Sequence, residues 1–405
     1  MLTDREILFI REHLHKDVHG LLLEKHKYPD IDVPKCAVQI EGLERIKHKV
    51  PEWYACSRIF IPSLRAVEQA SSAETARYKQ RFLKTPGTVV DMTGGLGVDV
   101  YYFSAVSKQV IYAEEDAYLC QAARYNFDVL QVANRIQVEQ QRAEELWSRD
   151  NKLPYADLVY ADPSRRRADG SRLRGLASYS PDVTQLAGKV LQRAGAFLVK
   201  IGPLEDVNRT LQRLPDTTEI HVVSVRNECK ELLFLLKKKQ NTQQPPLVVC
   251  SGGFSFYGKE ETAAAATLNR SKEYGVVKEG DYLYEPEVSL LKAGAFALPS
   301  FRFEVQKIHR HSHLYVSSRP VVGFPGKLYR IRQAIPFSSA RLKRLAAQFP
   351  RAHMKVRNFP LTVEAWRKKT GIAEGGTDVL FGTTAHQGGK DIRWIIHATL
   401  WEENI

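Results

Sequence analysis

The sequence predicts an α/β protein: a mainly parallel, doubly wound sheet of seven strands, a helical part before it and small α+β modules after it. Three observations predict this. Between residues 87 and 239, short β-branched or apolar runs alternate with helix-like stretches, the rhythm of successive strand–helix–strand units. The last two runs, at 219–225 and 232–237, are joined by only six residues and therefore form an antiparallel hairpin. Finally, the stretch 88–97, T-V-V-D-M-T-G-G-L-G, passes from a buried strand through three glycines into a helix start. A turn of that kind lets a ligand touch backbone.

Taken in order, residues 1–80 read as helical. Thr3 or Asp4 caps a helix through Glu12, and Leu8, Ile10, Leu14, Val18, Leu21 and Leu22 recur at helical spacing. A further helix over 74–82 opens with Ser71 as N-cap and Glu74 at the capping-box position. Strands at 88–91, 109–113, 136–140, 158–161 and 196–200 carry the parallel part of the sheet. The polar stretch 240–246 ends in Pro-Pro and reads as a linker. Beyond it come strands at 247–250, 254–257, 314–317, 327–334, 353–356, 378–384 and 391–400, with helices at 261–268, 338–349 and 362–370. The expected division is a helical part at 1–80, the doubly wound domain at 81–240, a small module at 245–318 and a basic module at 319–405.

Composition narrows the class. With 405 residues, 43% apolar and 26% charged, the chain has an ordinary soluble composition. No apolar run reaches bilayer length, and residues 1–10 lack the layout of a secretory signal, so no membrane is expected. The five cysteines are scattered and form no C-x-x-C pair, which points to a cytoplasmic location. Of the net charge of +13, residues 301–405 carry +11, a local field suited to nucleic acid. The chain has no G-x-S-x-G, H-E-x-x-H or P-loop motif, which disfavours serine hydrolase, zinc protease and P-loop chemistry.

Several residues stand where chemistry is expected. Asp91 ends the first strand and can take a cationic or hydroxyl group. Glu114, ending the second, can accept both hydroxyls of an adenosine ribose, whether the ligand is NAD or S-adenosylmethionine. Asp162-Pro163 closes the fourth, where oxygens can hold an amino group's protons and aim its lone pair. The following residues are Ser164 and Arg165, with no proline–aromatic platform for a flat base. Arg165 and Arg166 open a basic loop suited to phosphate. Ser71, Ser72 and Lys79 precede the glycine turn and can receive the amino-acid end of a methyl donor. Lys200, ending the fifth strand, either lines the cleft or snorkels out of it. His309, His311 and His313 alternate as on one strand face and read as a basic ladder, so no metal is expected.

Five stretches together resemble a family. E-Q-A-S-S-A-E-T-A-R-Y-K (68–79), D-M-T-G-G-L-G-V-D (91–99), A-E-E-D (113–116), A-D-P-S-R-R (161–166) and Y-L-Y-E-P-E (282–287) are similar to class I S-adenosylmethionine-dependent methyltransferases with a THUMP-like C-terminal domain. The resemblance implies a Rossmann-like catalytic domain, a ferredoxin-like insert and an RNA-binding end. It implies that Asp91, Gly94 and Gly97 approach the donor's methionine part, with Thr93 and Gly95 among the donor-binding residues, and that Glu114 holds the ribose. The usual acid after the third strand is replaced by Arg142, so adenine falls to the backbone around Ala143. Asp162 and Pro163 then face the acceptor, expected to be a base nitrogen in tRNA or rRNA. Arg330, Arg332, Lys355 and Arg357 are the expected RNA contacts of the last module, with Arg165 and Arg166 beside the cleft. Two rival readings are an RNA-binding protein with a catalytically silent core and an NAD-dependent oxidoreductase. The terminal hairpin and the missing G-x-G-x-x-G disfavour the latter.

Overall fold

The computed structural model describes residues 1–148, 153–164, 179–238 and 244–401. They form two compact units, Met1–Ile220 with Lys230–Gln244, and His221–Cys229 with Pro245–Ile405. No helix among the described residues is long and apolar enough to cross a membrane. All five cysteines are free.

The first unit opens with helices Asp4–His13, Val18–Leu23, Val33–Ile46, Pro51–Ala55, Leu64–Gln69 and Ala73–Lys79. Thr3 and Glu6 form a capping box on the first, and Asp32 caps the third ahead of Pro34. Their apolar faces meet at Ile40, Trp53, Ile61 and Val67, and the same cluster includes Val98 and Tyr102 from beyond the glycine turn. The helical part at 1–80 thus shares one core with the domain it precedes. Where the chain runs extended through Phe60 and Ile61, two buried amides replace strand neighbours. Gln39 brackets Ile61, donating to its carbonyl (2.7 Å) and accepting from its N–H (2.8 Å). Asn126 does the same for Phe60, at 2.8 Å in each direction.

The parallel-rich sheet contains β1 (Thr88–Asp91), β2 (Gln109–Glu114), β3 (Ile136–Gln140), β4 (Leu158–Ala161), β5 (Phe197–Ile201), β6 (Thr217–Val225) and β7 (Glu228–Leu236). Their order is β3-β2-β1-β4-β5-β7-β6. The first five are parallel, and β7 enters antiparallel to β5, with Phe197 opposite Leu236. The closing hairpin is tighter than the six-residue connection expected from sequence. Arg226 and Asn227 alone make the turn, both at positive φ (52° and 60°), as a two-residue loop matched to strand twist requires. The polar residues Glu228 and Lys230, which looked like loop, belong to the strand. Between β1 and β4 the order of connection reverses, so their carboxyl ends flank a crevice.

The second unit contains β8 (Leu247–Cys250) and β9 (Ser255–Tyr257), then β10 (Tyr282–Pro286), β11 (Gln306–Lys307), β12 (Tyr315–Ser317), β13 (Gly326–Pro336), β14 (His353–Arg357), β15 (Asp378–Gln387) and β16 (Lys390–Leu400). The last seven make one sheet in the order β11-β12-β10-β13-β16-β15-β14. The modules read from sequence as 245–318 and 319–405 therefore share a single sheet, joined where β10 pairs with β13. On one face, Leu345 and Trp366 from helices Ser339–Gln348 and Val363–Thr370, with Phe349 just after the first, cover Met354, Leu380 and Ile395. The opposite face holds Leu283, Tyr329, Phe381 and Ile396. His309, His311 and His313 lie on the turn between β11 and β12, not on a strand, so they form no ladder.

Replacing Asn126 with alanine strands both backbone groups of Phe60 in the core. We expect a loss of about 3 kcal/mol, read as a lower urea midpoint at unchanged slope.

Candidate active site

The glycine turn is set by packing as well as by any ligand. A Cβ on Gly94 would stand 2.3 Å from the Tyr112 ring, and one on Gly97 would stand 2.7 Å from Phe127. Gly97 also holds φ +89°, which favours glycine, and caps the helix Val98–Ser104. The Met92 N–H donates to the Tyr160 carbonyl (3.1 Å) and Gly94 N–H to that of Ala113 (2.9 Å), tying the turn to both neighbouring strands. Asp91 is 1% exposed and accepts from the Thr93 N–H (2.9 Å) and hydroxyl (3.2 Å). Burial pushes its pKa up to about 8, and the nearby Asp99 adds to the shift. Glu114 accepts from Gly95 N–H with one oxygen (3.0 Å) and from Asp116 N–H with the other (3.1 Å). A carboxylate offers about four acceptor sites, so this one is anchored and still able to take a diol. Burial raises its pKa, partly offset by those two N–H groups.

Beneath the turn lies a cluster of charged groups. The helix Ala73–Lys79 delivers Lys79 at its last turn with no exposed side-chain surface. Its Nζ donates to Ser71 Oγ (2.9 Å) and Asp99 Oδ1 (2.9 Å) and lies 3.2 Å from Glu231 Oε1. Ser71 Oγ (2.7 Å) and the Tyr160 hydroxyl (3.0 Å) both donate to Asp99 Oδ2. Lys200, at the end of β5, reaches Asp162 Oδ2 at 2.6 Å and stands 3.9 Å from Glu231 Oε2. The Asp162 N–H donates to Thr93 Oγ1 (2.7 Å), fixing the end of β4 against the glycine turn. Burial alone would lower the Lys200 pKa, but Asp162, Glu231 and Asp99 hold it well above the ordinary range. Burial opposes the charge on Asp99 too, yet Lys79 and Lys200 bring its pKa down. For Glu231 burial outweighs the same two lysines and the pKa rises.

Several of the residues expected from sequence come together here: Asp91, Thr93, Gly94, Gly95, Gly97, Glu114 and Asp162 surround the turn, with Pro163 buried next to Asp162. Ser71 and Lys79 sit inside the charged cluster, occupied by each other and by Asp99. The helix N-cap expected at Ser71 is Ser72, whose hydroxyl accepts from Thr75 N–H. Capping there releases Ser71 to serve the cluster. Ala143 is buried at the start of the short helix Ala143–Leu146, after β3. Arg165 and Arg166 lie outside the described residues. In the second unit Arg330 stacks on the Tyr282 ring at 4.4 Å, and Arg332 donates to Thr399. Lys355 and Arg357 both turn onto the buried carboxylate of Glu285. The same unit has a cavity of about 580 Å³ lined by His309, His311, Phe337, Asn358, Asp391 and Arg393, among others.

Asp99, Tyr160 and Glu231 were not expected from sequence. Asp99 had a weak signal, an acid in the first turn of a helix. Glu231 had none, because it fell in the connection expected at 226–231, where an acid looks like solvent-facing polarity.

A Rossmann-like sheet of this strand order, with a ligand crevice between β1 and β4, defines the class I methyltransferase architecture. Profiles for a ferredoxin-like domain and a THUMP domain-like family match residues 282–325 and 326–399. A crystal structure provisionally described as a methyltransferase from Porphyromonas gingivalis W83 shares 31% identity over 99% of this chain and 100% of its own, with TM-score 0.82. A Thermotoga maritima SAM-dependent O-methyltransferase (13% identity, 43% of this chain and 69% of its own, TM-score 0.32) is also similar. So is a Clostridium thermocellum rRNA methylase (16%, 41% and 96%, TM-score 0.32). No curated protein sequence matches significantly. The chain belongs to the family of the Porphyromonas gingivalis protein, class I S-adenosylmethionine-dependent methyltransferases with ferredoxin-like and THUMP-like C-terminal domains.

Removing one member of a buried ion cluster leaves its partners uncompensated. Lys79→Met should lower stability by about 3–5 kcal/mol, measured by chemical denaturation. Asp99, whose folded pKa is depressed, stabilises the fold above its unfolded pKa and loses that contribution as pH falls through the folded value. The gap between the native protein and Lys79→Met should therefore narrow in acid.

Proposed function

We propose that this protein transfers a methyl group from S-adenosylmethionine to RNA, in the cytoplasm. The observation that carries the reading is the pair of strand-end carboxylates on either side of the glycine turn. Glu114, anchored on Gly95 and Asp116, keeps acceptor capacity for a ribose diol. Asp162, at the end of β4 across the crevice, faces the reacting side. Asp91 and the backbone of Thr93–Gly97 suit the methionine part, and the start of the helix Ala143–Leu146 suits the adenine. Ser72 and the amino-acid end of the donor remain paired in this assignment, whereas Ser71 and Lys79 act from beneath. The bound donor supplies an electrophilic methyl group on a positively charged sulfur.

RNA as the partner rests on the net charge of +11 over residues 301–405 and on the THUMP-like match there. Arg330 and Arg332 are the contacts we favour from the sequence set, with Arg165 and Arg166 retained for phosphate near the crevice; Lys355 and Arg357 are turned toward Glu285. A tRNA or an rRNA fits equally. Read alone, the Asp162-Pro163 step suggests a base nitrogen as acceptor. The contact of Lys200 with that same carboxylate favours a second acceptor, developed below.

Calorimetry should show S-adenosylmethionine binding and no response to NAD; the reverse result would overturn the reading. Glu114→Ala should weaken binding by about tenfold or more, the cost of losing hydrogen bonds to a charged group. Asp91, neutral in much of the free protein at pH 7, should ionise beside a cationic ligand. Proton release on binding, measured in buffers of different ionisation enthalpy, should therefore vanish in Asp91→Asn. RNA affinity should fall steeply with salt, and a flat response would count against the basic surface.

A further inference from the structure

Nitrogen and oxygen acceptors make opposite demands on a methyl-transfer site. A neutral nitrogen attacks through its lone pair and becomes positive, so it wants oxygen atoms around it and no fixed cation nearby. A hydroxyl must lose a proton while its oxygen gains negative charge, so it wants a carboxylate and an ammonium side by side. The carboxyl end of β4 offers the second arrangement. Lys200 Nζ stands 2.6 Å from Asp162 Oδ2. The two side chains are 14% and 34% exposed, so both reach the crevice, whereas Lys79, Glu231 and Asp99 lie behind them, almost wholly buried.

The cluster also divides the roles. Three carboxylates keep Lys200 protonated, so it serves as a donor to oxygen and not as the base. Ser71 Oγ at 3.5 Å and Glu231 at 3.9 Å hold it in place, so no reorganisation is needed when charge develops. The proton acceptor is then Asp162, whose own backbone is pinned by Thr93. Nor is there a platform for a flat base directly after Pro163. Ser164 occupies that position, and its backbone is bridged to Ser180 in both directions (2.7 and 3.2 Å). At an internal nucleotide of RNA the free hydroxyl is the ribose 2′-hydroxyl, which also marks RNA from DNA.

We propose that the acceptor is the ribose 2′-hydroxyl of an RNA nucleotide, with Asp162 taking its proton and the Lys200 ammonium bonding its oxygen. This rests on the reading of the chain as an RNA methyltransferase. The carbon–oxygen bond forms as the carbon–sulfur bond breaks, leaving a neutral thioether. The hydroxyl proton goes to a carboxylate oxygen of Asp162 and from there to water, while Lys200 stays protonated throughout. Lys79, Glu231 and Asp99 are positioning residues for Lys200.

The test uses the full chain, methyl-labelled S-adenosylmethionine and total RNA from cells lacking the gene. Because a 2′-O-methyl group blocks alkaline cleavage of the adjoining phosphodiester, the label should appear in alkali-stable dinucleotides. Label in methylated-base mononucleotides would overturn the hydroxyl assignment and leave RNA methylation standing. No label in RNA would overturn the RNA reading itself. Asp162→Asn and Lys200→Met should each lower kcat by about 100-fold or more. RNA retention on filters and calorimetric binding of S-adenosylhomocysteine should stay within a few-fold, and Lys200→Arg should recover part of the loss. Should Lys200→Met fail to fold, Asp162→Asn, isosteric and partly exposed, decides alone. Either variant turning over within tenfold of the native rate would sink the proposal.

Discussion

A fully buried lysine needs carboxylates, and much of the first unit is arranged around that need. Taking an ammonium out of water costs several kcal/mol even after relaxation. Lys79 offsets this with Asp99, Glu231 and the Ser71 hydroxyl, drawn from a helix start, a hairpin strand and the segment before its own helix. Meeting at one point, these elements put the helix Ala73–Lys79 against the ends of the central strands. Lys200 joins the same cluster from β5 and carries its charge outward to Asp162. The floor of the crevice is thus a set of alternating charges, of which Lys200 and Asp162 are the more exposed pair.

The glycine turn depends on that floor from below and on aromatic rings from the side. Asp99, which answers Lys79, stands two residues after Gly97, so the cluster fixes where the helix after the turn begins. Tyr112 and Phe127 close the other side, and the Tyr112 hydroxyl donates to the Gly95 carbonyl at 2.7 Å. Two glycines that look like a concession to a ligand are thereby required by packing as well. Asp91, Glu114 and the backbone of Asp162 are each tied to a partner in the fold, an arrangement that needs little reorganisation.

In the second unit, net charge and available charge differ. Glu285, buried on β10, accepts from the Tyr329 hydroxyl at 3.1 Å and draws in Lys355 and Arg357 from β14. Those cations tie β14 to β10 through one carboxylate. Arg330 holds its guanidinium over the face of the Tyr282 ring. A count of basic residues gives the net charge of the module, while the fold decides which of them are already engaged by a carboxylate.

The local signals in the chain were enough for its architecture. Alternating strand and helix patterns, a short final connection and a glycine turn between Asp91 and the next helix determined the parallel strands, the closing hairpin and the place of the crevice, while the order of the strands came from the fold. They also determined that Glu114 and Asp162 would stand at strand ends. Periodicity, capping and turn chemistry act over a few residues, so a single sequence displays them directly. The pairing of Lys79 with Glu231, of Lys200 with Asp162, and of Lys355 with Glu285 was decided only by the tertiary structure. Each joins side chains whose neighbours in sequence say nothing of one another. They meet because strand order and register bring particular strand ends side by side, and burial then makes an uncompensated charge too costly to leave.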